Sequence, residues 1–202
     1  MLPTALLLLA STFSQVSPLQ WETYNPPGSV MGLGTFAEIH SRCNDQIRSS
    51  MFMQHRGSWA HEMVHGLNNH LCNLAGRRKH YFYVGQDRFV VFHTQPRTTI
   101  TRIAQTIPPH LRTFQYNVYF VNQPRQVTLN VEPLYLFDEW CAYKAGSAVR
   151  REEGLTDNGS HERELEWKGF APYIIATIIR DDPGYEELDK LKAFIQFLDP
   201  VK

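Results

Sequence analysis

The apolar positions of the chain alternate between helical and strand periods. Phe36, Ile39, Cys43 and Ile47 recur at intervals of three and four, which predicts an amphipathic helix from Thr35 to about Met51. Arg56-Gly57-Ser58 interrupts it, and Ser58 is a suitable N-cap for a second helix. In that helix Trp59, Met63, Leu67, Leu71 and Leu74 form an apolar stripe that Gly76 ends. The stretch HYFYVGQDRFVVFH predicts two strands, Tyr81 to Val84 and Arg88 to Phe92, around a Gly-Gln-Asp turn. TTITRIAQTIPPHL predicts a short helix stopped by Pro108 and Pro109, and TFQYNVYFV then alternates as a further strand. A helix opens at Pro133 or Leu134 and closes at Gly154. A polar loop follows over residues 154 to 164, and then two helices, Phe170 to Arg180 and Tyr185 to Leu198, separated by Asp182-Pro183-Gly184. Ahead of all of these, QWETYNPPGSVMGLG reads as an extended lead-in. The expected fold class is α+β, mostly helical with a small sheet of about three strands.

Composition narrows the function. The chain has 202 residues, enough to bury a core as a single domain over residues 18–202. Its 20 basic and 20 acidic side chains cancel, so no general attraction to nucleic acid or to an anionic membrane is expected. MLPTALLLLASTFSQVSP carries an apolar run from Ala5 to Ala10 followed by small and polar residues, and reads as a secretory leader cut after Ser14 or Ser17. That run is well short of the roughly 20 residues that span a bilayer, so no stable membrane insertion is expected. The expected location is secreted or periplasmic. Cys43, Cys72 and Cys141 fit neither a dense disulfide framework nor a Cys-x-x-Cys metal knuckle. Asn158-Gly159-Ser160 fits the glycosylation sequon.

The chemistry concentrates in SWAHEMVHGLNNHL, where His61, Glu62 and His65 spell His-Glu-x-x-His. A chain of this composition holds that pattern by chance roughly 0.02 times. Residues four apart on a helix stand on one face, so the two imidazoles can converge on one ion. Zinc accepts neutral imidazole nitrogen readily, and a catalytic zinc keeps three protein ligands with the fourth position left to water. Glu62 lies about 100° around the helix from His61, placed to act as general base on that water without ligating the metal. The expected cofactor is Zn2+. Asn68 continues the metal-facing stripe and reads either as a group that orients a ligand's partner or as a packing residue.

A third ligand is needed. The metzincin spacing fails, because its downstream glycine and histidine positions hold Asn68 and Leu71. His70 is turned away from the metal face. Glu139 in LFDEWCAYKAG is the better candidate, and the segment resembles the glutamate helix of the gluzincin branch of zinc metallopeptidases, in which a small residue follows the Glu at three positions on. Here that residue is Ala142. The resemblance covers the two helices, about a fifth of the chain, and implies His61, His65 and Glu139 as ligands in a zincin-like domain acting on peptide or protein substrates. Helical phase agrees, since Ala142 and Tyr143 share the face of Glu139 and a small side chain there lets two helices approach. Asp138 is the alternative ligand or an acceptor for a histidine N–H. A Cys72–Cys141 disulfide is disfavoured, because Cys141 points away from the Glu139 face. The oxyanion donor that a peptidase requires is sought among Tyr143, Tyr173, His161 and His80, with Tyr143 favoured by its phase. Two other readings compete: a zincin-shaped protein without catalysis, and a metal-dependent amidase acting on non-protein substrates.

Overall fold

The computed structural model describes residues 19–50, 53–155 and 160–199. The leader reading, the sequon asparagine and Met51 lie outside them. The described elements are β1 (Glu22–Thr23), α1 (Thr35–Arg42), α2 (Asp45–Ser50), α3 (Arg56–Leu74), β2 (His80–Tyr83), β3 (Arg88–Phe92), α4 (Ile100–Thr106), α5 (Tyr135–Glu152), α6 (Ser160–Asp181) and α7 (Leu188–Leu198), with short helical turns between α4 and α5. The three strands form one antiparallel sheet in the order β1-β3-β2. The fold is α+β and mostly helical. The described residues divide into two compact units, one of residues 20–94 with 136–164 and one of residues 95–135 with 165–199.

The first of these units carries the motif. β2 lies against α3, whose fully buried Met63, Val64 and Leu67 share the core with Phe82, Phe89, Val90 and Phe92 of the sheet. Burying side chains of this size stabilises the packing by about 1.5–3 kcal/mol each. α2 crosses α3 where Gly66 has no side chain, since a Cβ there would stand 2.7 Å from Ile47 Cγ2. Arg42, 1% exposed, donates to the carbonyls of Tyr24, Val30 and Glu38 and to Asn25, which pins the lead-in segment onto α1. The last turn of α5 caps α1, because Glu152 accepts from Thr35 N at 2.8 Å and Thr35 Oγ1 at 2.5 Å.

Several local expectations are corrected. The helix expected from Thr35 breaks after Arg42. Cys43 is extended, and Asn44 opens α2 by accepting from Ile47 N at 2.9 Å. α3 begins at Arg56 rather than after Ser58, with Gly57 in its first turn. It ends as read, with Gly76 left-handed at φ 62°. The third strand is not in TFQYNVYFV but at Glu22–Thr23, inside the lead-in.

The second unit explains that exchange. Phe114 onward is helical and continues as a π-helix over Asn117–Asn122. The deeply buried rings there are Tyr116, Tyr119 and Phe120, at helical intervals of three and four, while Phe114 is exposed. Tyr116 stacks on Phe120 and both Tyr119 and Phe120 meet Trp167, so aromatic packing overrides the alternation. The polar loop is shorter than expected, because α6 begins at Ser160.

Candidate metal centre

Two glycines set the spacing of α3 and α5. A Cβ on Gly146 would stand 2.8 Å from the Gly57 carbonyl oxygen and 3.5 Å from His61 Cβ, and a Cβ on Gly57 would stand 2.6 Å from Arg150 Cγ. The helices therefore touch backbone to backbone one turn before His61. From that contact the pairings run in opposite directions along the two helices: Gly57 with Gly146, His61 with Tyr143 and Glu139, then His65 with Glu139 and Asp138. This order brings Glu139 opposite the histidines although more than seventy residues separate it from His65.

The geometry is a triangle of donor atoms. His61 Nε2 and His65 Nε2 are 3.2 Å apart, and Glu139 Oε2 lies 3.8 Å from the first and 3.5 Å from the second. Coordination bonds of about 2.0–2.2 Å at tetrahedral angles separate donor atoms by about 3.3–3.6 Å. The donor set fits a zinc ion in composition and in spacing, and His61, His65 and Glu139 are the cluster among the described residues that could hold a metal. Glu139 is buried, with a side chain 4% exposed.

Electrostatics distinguish the two histidines. Burial, followed by the neighbouring His65, pushes the His61 imidazole down to about 4, so its ring is held neutral. Burial also disfavours the His65 imidazolium, but the Asp138 and Glu139 carboxylates more than offset this and raise it well above the ordinary histidine value. Asp138 Oδ2 lies 2.6 Å from His65 Nδ1. That contact places a proton on Nδ1 and leaves Nε2 as the atom facing the triangle.

The other residues singled out from sequence are distributed as follows. Glu62 is half-buried, next to His61 on α3. The buried Tyr143 ring meets His61 edge-on with centroids 4.4 Å apart. Ala142 is fully buried on α5. His80 is half-buried at the start of β2, His161 is exposed in the first turn of α6, and Tyr173 belongs to the second unit. Cys43, Cys72 and Cys141 are free thiols. Sequence reasoning assigned the helix approach to Ala142 and passed over Gly57 and Gly146. Their signal was present, since a glycine inside an otherwise periodic helix marks close packing.

Comparison of the chain with protein-family models, with curated proteins and with solved structures gives no match in any of the three.

Proposed function

We propose that this chain is a zinc-dependent peptide hydrolase of gluzincin-like type, exported and acting on peptide or protein substrates. The observation that carries the reading is the convergence of Glu139 Oε2 on the two Nε2 atoms of the His-Glu-x-x-His helix. Zinc, when bound, supplies Lewis acidity that makes a water proton easier to lose and polarises a substrate carbonyl. The chain's own residues do the rest. His61 stays neutral through burial, and His65 is oriented by Asp138, so both would present Nε2 to a bound ion. Glu62 takes a proton from the attacking water and returns it to the leaving amine. Tyr143, packed on His61, is the candidate donor to the oxyanion.

The test pairs metal analysis with hydrolysis of a peptide and amide panel. Glu62→Gln is expected to keep stoichiometric zinc while losing about 10²–10⁴-fold in rate. Hydrolysis that survives Glu62→Gln refutes the mechanism. Zinc uptake without turnover of any substrate by the wild-type chain favours the non-catalytic reading instead.

A further inference from the structure

Behind the donor triangle stands a hydrogen-bonded chain that reaches the sheet. Asn68, 3% exposed, sits on α3 one turn beyond His65. Its Oδ1 accepts from the backbone N–H of Tyr83 in β2 at 3.0 Å, and its Nδ2 donates to Asp138 Oδ1 at 2.5 Å. The other Asp138 oxygen faces His65 Nδ1. A backbone N–H can only donate and a carboxylate can only accept, so the Asn68 amide has a single workable orientation. Turned over, it would set a donor against Tyr83 N–H and an acceptor against Asp138.

We infer that Asn68 is a positioning residue for the metal centre: anchored on β2, it fixes the Asp138 carboxylate that orients His65. The inference rests on the metal-centre reading above. With both oxygens engaged, Asp138 cannot rotate about its carboxyl bond without losing a bond, and the His65 ring is held in the plane that this carboxylate sets. The strand contributes because Val84, the next residue, donates inward to Arg88 O at 3.1 Å, which leaves the Tyr83 N–H directed outward to Asn68.

The order of donors and acceptors supplies a test that a packing role would fail. Asn68→Asp alone sets two carboxylates face to face. Asp138→Asn alone, with its oxygen kept on His65, sets two amide nitrogens face to face. The double swap Asn68→Asp with Asp138→Asn puts every donor opposite an acceptor again and keeps the net charge. Full-length wild type, both single variants and the swap are titrated with zinc against a chromophoric chelator. Each is also loaded with cobalt(II) for its ligand-field spectrum and melted metal-free.

Each single variant is expected to weaken zinc binding about 10–100-fold and to alter the cobalt spectrum, and the swap to recover the greater part of both. A swap no better than the weaker single variant overturns the inference. So do single variants that lower the melting temperature but leave zinc affinity and the cobalt spectrum unchanged, because Asn68 would then only stabilise the fold. A wild-type chain that takes up neither metal defeats the metal-centre reading first and this inference with it, a failure visible before any variant is compared.

Discussion

Glu139, a buried residue, and Asp181, a half-buried one, each have a side chain 4% exposed, and their surroundings differ in kind. Asp181 is saturated with donors: Arg102 reaches it through two nitrogens at 2.7 and 2.9 Å, Arg180 at 2.7 Å and Thr98 at 2.6 Å. These hydrogen bonds, from Arg180 and then Arg102, hold its carboxyl well below the ordinary aspartate range. Glu139 Oε2 instead faces two imidazole nitrogens, His65 Nε2 at 3.5 Å and His61 Nε2 at 3.8 Å. Fixed guanidinium charges close one site. The other gathers the Asp138 and Glu139 carboxylates around His61, which burial holds neutral, and His65, whose charged form the two carboxylates favour.

The comparison breaks most visibly at the metal. His61→Ala and Glu139→Gln are each expected to weaken zinc binding by more than the about 10–100-fold that loss of an outer partner costs, read by chelator competition. Without metal, Glu139→Gln is expected to leave the melting temperature unchanged or raised, because the cost of burying the carboxylate opposes what it gains from its ion pair with His65. A melting temperature that falls sharply instead would place Glu139 among the structural carboxylates with Asp181.

Next in size is the helix contact that delivers Glu139. Gly146→Ala sets a methyl 2.8 Å from the Gly57 carbonyl oxygen, an atom of the backbone that cannot rotate away. The expected cost is about 1–3 kcal/mol in denaturant unfolding, with weakened zinc binding because α5 must withdraw from His61. Unchanged stability and affinity would mean that the backbone contact does not set the donor triangle.

Asp181→Asn gives a smaller, pH-dependent effect. The folded-state value is depressed, so the stabilisation is fully present above the ordinary aspartate value and is lost as pH falls through the depressed one. The variant is therefore expected to melt a few degrees below wild type at neutral pH, with the gap narrowing in strong acid. A gap that widens in acid contradicts this sign. Smallest is Gly184→Ala, where the added methyl meets nothing within 4 Å. It should change unfolding free energy by less than about 0.5 kcal/mol, which isolates the Gly146 effect from a general cost of replacing glycine.

Much of this contrast was legible in the chain. The motif helix, β2 and β3, the helix ending near Gly154 and the candidate set His61, His65 and Glu139 follow from periodicity, punctuation and a resemblance. The structure brings the three donor groups together. What escaped was non-local. TFQYNVYFV has the alternation of a strand, but its choice is made by Trp167, roughly fifty residues on, against which Tyr119 and Phe120 pack. The two-residue β1 is too short to show any period and exists through its pairing with β3. Asn44 caps α2 inside an apolar spacing that by itself reads as one continuous helix. Gly57 read as a breaker because one chain segment cannot show that another backbone will occupy the space of its missing side chain.

X-ray absorption at the zinc edge of the loaded, full-length chain tests the central claim most directly. Two imidazole nitrogens with one or more oxygens, all at about 2.0–2.2 Å, are predicted, and the imidazole signal should be lost in His61→Ala. A sulfur shell near about 2.3 Å, drawn from the free cysteines, or a zinc environment indifferent to His61→Ala would contradict the account.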